Sequence, residues 1–150
     1  MRFHLSSLME TRLCQEFLTR GDSLLVCEGN KIIFASNEDG LLPLLEYIDR
    51  FSTGHRQVKI FDKVMGNAAA LLSVLANCQE VYSPLGSQLA IATLDKYQIR
   101  HHVIKIVPHI LNPSGVDMCP MERVSINKVP EEFYNEVTDI IRYRMSANSS

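Results

Sequence analysis

Apolar residues recur along the chain in short blocks separated by polar turns, and the spacing inside each block predicts its secondary structure. Helical spacing predicts helices, whereas apolar runs bounded by Gly, Asn or Pro predict strands. The predicted helices cover residues 6–19, 41–51, 68–76, 87–97 and 130–144, and a short helix is predicted to start near Cys119. The predicted strands cover residues 23–28, 31–36, 58–61, 80–83 and 101–107. A turn is expected at residues 84–86, and the tail from residue 146 to residue 150 is expected to fray.

The order of these elements predicts an α/β fold with a mixed sheet. The first two strands meet at Gly29 and Asn30, a dipeptide typical of an antiparallel β-hairpin. The later strands alternate with helices, and such crossovers connect parallel strands. The helix predicted over residues 68–76 is apolar nearly all round, so it is expected to be buried. We therefore expect a three-layer α/β/α arrangement with helices on both faces of the sheet.

Composition is that of an ordinary globular protein and narrows the classes of function. The chain has 150 residues, of which 46% are hydrophobic and 21% charged. Its formal net charge of −2 gives no bulk attraction to nucleic acid or to anionic membranes. No signal peptide or membrane helix is recognised, and the four cysteines are scattered without a CxxC motif. These features predict reduced thiols and a cytoplasmic location, and the absence of repeats and linkers predicts one domain over residues 1–150.

Three segments of the chain resemble a prokaryotic family of uncharacterised proteins. They are DKVMGNAAA at residues 62–70, PHILN at residues 108–112 and MCPME at residues 118–122. The resemblance extends from about residue 8 to residue 124 and implies the fold of that family, which is cytidine-deaminase-like. The helix at residues 130–144 follows this core. The resemblance implies no particular activity.

The metal signature of zinc-dependent cytidine deaminases is missing from the sequence. Those enzymes hold Zn²⁺ with a His or Cys from an H-x-E or C-x-E element and with two Cys from P-C-x-x-C, at two helix starts. The corresponding positions here are Asn37-Glu38-Asp39-Gly40 and, at residues 64–70, VMGNAAA, so neither supplies a Cys. We therefore expect no zinc-dependent deamination, no metal site and no cofactor.

The first candidate site lies at the junction of the third predicted strand and the third predicted helix. Ligands favour this edge of α/β sheets, because carboxyl ends of parallel strands meet helix N-termini there. Gly66 allows a ligand to approach the backbone, Lys63 supplies a positive charge and Asp62 accepts hydrogen bonds. Asn67 belongs to the same set of expected ligand-binding residues. The alternative interpretation is a solvated loop whose glycine only permits the turn.

The second candidate site is the loop after the last predicted strand. Cys119 stands at a helix N-cap position, with Pro120 at the first helical position and Glu122 at the third. A thiol in this setting can act as a nucleophile or redox group, with Glu122 as its acid–base partner or as a helix cap. The alternative is a structural turn in which Cys119 fills space. Asn112 and Asp117 belong to the same loop and are expected to contribute to ligand binding.

Other polar residues complete the set of candidates. Tyr82 and Ser83 end the fourth predicted strand at the same sheet edge, where they are expected to line the pocket. His109 is either a general base or an ordinary surface residue. His101 and His102 are neighbours on a strand, so their side chains point to opposite faces and would chelate a metal poorly.

Three functions are compatible with the sequence. The first is a protein that binds a small anionic or nucleotide-like molecule without zinc deaminase activity, in a site that combines both candidate regions. The second is an enzyme that uses Cys119 as a nucleophile or redox thiol, with Glu122, Asp62 or His109 assisting. The third is an interaction module that forms a homodimer through its helices.

Overall fold

The structure is a computed structural model that describes residues 5–51 and 57–148. Within these residues it contains six helices and six strands. The helices are α1 (Leu5–Thr19), α2 (Leu42–Phe51), α3 (Asn67–Leu75), α4 (Gln88–Lys96), α5 (Pro120–Ser125) and α6 (Pro130–Asn148). The strands are β1 (Leu24–Glu28), β2 (Lys31–Ser36), β3 (Val58–Asp62), β4 (Val64–Met65), β5 (Cys78–Ser87) and β6 (Arg100–Val107). None of the helices described has the length and apolarity needed to cross a membrane.

The strands form one mixed sheet, as the order of elements predicts. β1 pairs antiparallel with β2 through the turn at Gly29, and antiparallel with β3 on its other side. β5 runs parallel to β3 and then to β4 on one side, and parallel to β6 on the other. β3 and β4 are thus consecutive parts of one line of strand, interrupted only at Lys63.

Alternating residues of the strands divide the core between the two faces of the sheet. Leu24 and Val26 of β1 belong to the larger core, which includes buried residues of α2, α3, α4 and α6. Leu25 belongs to the smaller core, which α1 completes with Leu13 and Phe17. α3 is buried from Asn67 to Ser73, which confirms the prediction made from its apolar composition.

β5 corrects the prediction of a strand that ends at Ser83. It continues through Pro84, although proline donates no hydrogen bond to a ladder and is unusual inside a sheet. Pro84 falls between Tyr82, which pairs with β3, and Leu85, which pairs with β4. The neighbouring line of strand is interrupted at this level, and the Ser83 hydroxyl donates to the Leu85 carbonyl at 2.8 Å. The missing N–H of Pro84 is therefore tolerated.

Two smaller predictions also need correction. β4 was not predicted, because two residues are too few to give a recognisable hydrophobic pattern. α6 extends to Asn148, so the prediction of fraying from residue 146 is wrong for the residues described, since neither Gly nor Pro interrupts this stretch. Residues 149–150 of the predicted tail lie outside the described part of the chain.

Candidate functional site

A cavity of about 250 Å³ lies at the carboxyl end of β3. The junction of β3 with β4, the N-terminus of α3, the chain before α2 and the start of α5 form its walls. Both segments that the sequence singles out contribute to it. The predicted site residues that line the cavity are Asp62, Lys63, Gly66, Cys119 and Glu122.

Asn67 is buried behind this cavity. Its side-chain amide donates to Ser125 Oγ at 3.0 Å and to the Ser125 carbonyl at 3.2 Å. Its side-chain oxygen accepts a hydrogen bond from the hydroxyl of Thr93. The Asn67 side chain therefore joins α3 to α4 and α5, and only its neighbours reach the cavity.

The structure does not bring Ser83, Asn112 or Asp117 to this cavity, which corrects the composite site expected from the sequence. Ser83 lies inside β5 and lines a separate depression beside α1, because the strand does not end there. Asn112 and Asp117 are the two ends of a local turn, which is closed by a hydrogen bond from the Asn112 N–H to the Asp117 carbonyl at 2.8 Å. Tyr82 lines the same separate depression as Ser83.

Glu122 is an almost completely enclosed residue of the cavity wall, with 1% of its surface exposed. Its Oε1 accepts from the Asn67 N–H at 2.6 Å and from the Ser87 hydroxyl at 3.2 Å. Its Oε2 accepts from the Ile110 N–H. The carboxylate thus connects the first residue of α3, the N-cap residue of α4 and the loop after β6. Glu122 caps a helix, but that helix is α3 rather than its own.

These contacts change the expectation of an anion at the start of α3. Helix N-termini attract anions because their first amides have no partner inside the helix. The N-cap residue of α3 is Gly66, which has no side chain to accept from these amides. The Glu122 carboxylate occupies this position at the Asn67 amide. An anion from solution would have to compete with a carboxylate that the protein already supplies.

Gly66 is required by space rather than by backbone conformation. Its φ of −80° is accessible to every residue. A Cβ at this position would lie 3.1 Å from Ile110 Cγ1 and 3.3 Å from Glu122 Oε1. The absent side chain therefore lets the loop after β6 and α5 pack directly on the start of α3.

Asp62 supplies the cavity with a carboxyl group whose ionisation is perturbed. The residue is half-buried at the end of β3, and the Val64 N–H donates to its Oδ1 at 3.4 Å. Burial raises the pKa of Asp62 from 3.8 to about 7, against the opposing effect of hydrogen bonds from the backbone of Val64 and Lys63. Near neutral pH this group can accept or donate a hydrogen bond. The neighbouring Lys63 is exposed.

Cys119 occupies the N-cap position of α5, and Pro120 the first turn, as predicted. Its N–H donates to the Ile110 carbonyl at 2.8 Å, and its carbonyl accepts from the Arg123 N–H at 3.1 Å. The residue is half-buried, lines the cavity and makes no side-chain cap bond. Its role as a nucleophile stays a prediction, as does acid–base catalysis by Glu122. His109 is not among the residues that line the cavity.

The side chains at this cavity do not fit the zinc of a deaminase. Among residues 5–51 and 57–148, no three His, Cys, Asp or Glu side chains are grouped as metal ligands. The deaminase metal needs two cysteines and a His or third Cys, whereas the cavity offers Cys119 with the carboxyl groups of Asp39, Asp62 and Glu122. His101 and His102 face opposite sides of the sheet, where they bond Asp95 and Glu80 respectively.

Several cavity residues carry no signal that sequence reasoning recognised. Leu41, Ile110 and Met121 form an apolar part of the cavity wall, and Ser23 and Gly40 also line the cavity. Ile110 and Met121 do fall inside two of the segments on which the family resemblance rests. For Ile110 the available signal is an apolar side chain in a loop, because loops carry many of the residues that form binding sites.

The fold and the cavity define a mixed α/β protein with a cavity at the carboxyl edge of its sheet. Residues 13–141 match the family model TM1506, a domain of unknown function (DUF1893), and the chain therefore belongs to the DUF1893 family. Its structure is similar to the crystal structure of a DUF1893 family protein (TM1506) from Thermotoga maritima. The TM-score is 0.80 and the sequence identity 26%, over 93% of this chain and 94% of that chain. No curated protein matches the chain.

Proposed function

We propose that this protein binds a small nucleotide-like molecule in the cavity beside α3, on a cytidine-deaminase-like scaffold and without zinc deaminase activity. The observation that carries the proposal is the meeting of two distant segments, around Asp62 and around Cys119, at one cavity. The antiparallel hairpin followed by parallel strands supports the scaffold. The donor set, with its single cysteine, supports a function other than zinc-dependent deamination.

The size and lining of the cavity favour a flat ring that carries hydrogen-bond donors. Its 250 Å³ is just below the roughly 300–1,000 Å³ of sites for drug-sized ligands, so a nucleobase with part of its sugar matches it better. Leu41, Ile110 and Met121 can pack against the faces of such a ring. Asp62 supplies an acceptor for an amino or ring N–H group, or a donor when it is protonated.

The position of the positive charge supports placing the anionic part of the proposed ligand at the cavity mouth. Glu122 already occupies the start of α3, so a phosphate is not favoured there. Lys63 lines the same cavity and is exposed. A phosphate near Lys63 would remain hydrated and partly neutralised. A nucleoside monophosphate meets these conditions better than free phosphate does.

Thermal unfolding with a panel of nucleobases, nucleosides, nucleoside monophosphates and inorganic phosphate tests the proposal. A bound compound at one hundred times its Kd stabilises the protein by about 2.7 kcal/mol, which raises Tm by roughly 5–10 °C at this size. Asp62→Asn is expected to weaken nucleoside binding about tenfold. Asp117→Asn is the matched control, because Asp117 is exposed outside the cavity. Equal binding by both variants, or no stabilisation by any compound, contradicts the proposal.

A second candidate function is supported by the placement of the Cys119 thiol at the same cavity. We propose as this alternative an enzyme in which Cys119 is the nucleophile and Asp62 the base, since the Glu122 carboxylate is engaged by three donors. Iodoacetamide labelling followed by peptide mass analysis tests it. Cys119 should label faster than Cys14, which is also half-buried and serves as the internal control. Equal rates would exclude this alternative.

A further inference from the structure

β6 forms one edge of the sheet and has a free side. Its ladder pairs are all with β5, and within residues 5–51 and 57–148 no backbone hydrogen bond joins its outer side to another element. In a parallel pair, alternate residues direct their N–H and C=O groups away from the neighbour. An edge strand of eight residues therefore presents a row of unpaired donors and acceptors.

The face of β6 on the side of α1 is also apolar, and residues 5–51 and 57–148 leave much of it uncovered. Ile104 is 72% exposed and Ile106 50% exposed. Both lie on the same face as His102, whose ring stacks on Tyr82 at 4.5 Å. Next to them is a depression of about 190 Å³, lined by Phe17 and Tyr82 among others. The described part of α1 covers β1, β3 and β5 but leaves this strip of β6 open.

We propose that β6 pairs antiparallel with β6 of a second copy of this chain, so that two sheets join into one across a two-fold axis. The charge pattern of the strand supports a second copy as the occupant. When Ile104 faces its own symmetry mate, His102 lies across from Ile106, and Val103 lies across from Lys105. No cation then faces a cation.

One of the two neighbouring registers is less favourable for the same reason. A two-fold axis that preserves the faces of the sheet allows registers that differ by two residues in the pairing. A shift in one direction places the ammonium group of Lys105 opposite that of its own mate, whereas a shift in the other places Val103 opposite its own mate. Like charges directly opposite each other destabilise a strand pair. The sequence of β6 therefore disfavours the register that sets the two Lys105 side chains opposite each other.

Lys105 and Arg100 do not argue against pairing at this edge. Charged residues often protect edge strands from pairing with another chain, because they occupy the position where a partner strand would pack. Arg100 is drawn toward Glu80, with 3.7 Å between its Nη2 and Glu80 Oε1. Lys105 lies on the face opposite to Ile104 and Ile106, since it is one residue away from each. The face that carries the apolar strip is left unprotected.

A cysteine at the symmetry axis tests both the surface and the register. Directly opposed residues of an antiparallel pair have Cα atoms about 4.5–5.5 Å apart, which a disulfide can bridge. Ile104→Cys is therefore expected to form a covalent dimer on mild oxidation of the whole chain, and the reductant should reverse it. The natural sequence, with its four free cysteines, gives the background level of covalent dimer. Val116→Cys, at a position 78% exposed in a loop, is the matched control and should not exceed it.

Sedimentation equilibrium of the untagged chain supplies an independent measurement. The natural sequence should form a reversible dimer, and Ile104→Lys, which sets two cations opposite each other, should weaken it about 100-fold. Val116→Lys should leave the dimer unchanged, and circular dichroism checks that both variants are folded. A monomer up to millimolar concentration overturns the proposal and leaves the edge to a different partner. A dimer that Ile104→Lys and Val116→Lys leave equally intact also overturns it, because another surface must then be used.

Discussion

At the scale of single residues, Glu122 shows what a local pattern can and cannot predict. The C-P-x-E sequence correctly predicts a helix that starts at Pro120, with Cys119 at its cap. The partners of the Glu122 carboxylate lie 55, 35 and 12 positions away along the chain. No local spacing can reveal such contacts, because they exist only once α3, α4 and the loop after β6 have come together.

The contacts of Glu122 predict a large effect on stability. Glu122→Ala leaves the amides of Asn67 and Ile110 without their acceptor, so it should lower the free energy of unfolding by about 2–4 kcal/mol. Glu122→Gln keeps the shape and one acceptor, and should cost roughly half as much. Urea unfolding measures both. Glu131→Ala, at an exposed position of α6, is the control; an equal loss there would contradict the structural role of Glu122.

Asp62 predicts how stability depends on pH. Folding raises the pKa of this carboxyl group from 3.8 to about 7, so the folded state binds more protons than the unfolded state between these values. The contribution of Asp62 to stability is therefore fully present below pH 3.8 and is lost as the pH rises to about 7. Asp62→Asn should remove this slope and be the more stable protein above pH 7. Urea midpoints measured across this range, with Asp117→Asn as the control, would show the difference; parallel curves would contradict it.

At the scale of elements, hydrophobic spacing was sufficient to predict a helix or strand wherever that element had a regular pattern of apolar residues. It predicted the hairpin of β1 and β2 and the buried helix α3, because burial on a face leaves a period in the sequence. It failed at Pro84, where a residue that ordinarily ends a strand is tolerated by an interruption in the neighbouring strand. Local propensity holds no information about what lies beside a residue.

The junction between α3 and α5 gives a prediction at this scale. Gly66→Ala should lower the free energy of unfolding by about 1–3 kcal/mol, because the new Cβ must displace Ile110 or the Glu122 carboxylate. The same change should reduce the affinity of the cavity for the proposed nucleotide-like ligand. Gly21→Ala is the matched control, because a Cβ there meets nothing within 4 Å. Equal stability of the two variants, measured by chemical unfolding, would show that the junction is loosely packed.

At the scale of the whole molecule, the order of elements predicted the mixed sheet, and the rule for the carboxyl ends of strands predicted the edge at which the cavity lies. Only some of the residues expected to form the composite site come together in space. Asp62, Lys63, Gly66, Cys119 and Glu122 meet at the cavity, whereas Ser83, Asn112 and Asp117 do not. Membership of a pocket depends on the path of each loop and on strand length, and neither follows from residue type.

The burial of α6 predicts which part of this helix the fold needs. Phe133 and Val137 are completely buried, whereas Tyr143 and Met145 are 77% and 65% exposed. Removing residues 143–150 should therefore change the free energy of unfolding by less than about 1 kcal/mol. Phe133→Ala should lower it by about 3–5 kcal/mol. Thermal unfolding of both proteins tests this, and a large loss on truncation would show that the end of α6 holds the fold together.

The bonds of Glu122 also impose an order on the assembly of the protein. A chain that grows from its N-terminus contains all of α3 and α4 before residue 122 has been added. Until then the first amide of α3 lacks its acceptor, and the loop after β6 has nothing to hold it against α3. The wall shared by α3 and α5 is thus among the last parts of the molecule to close. The cavity therefore cannot form before residue 122 has been added, and a compound that fills it would stabilise only chains that have folded beyond this stage.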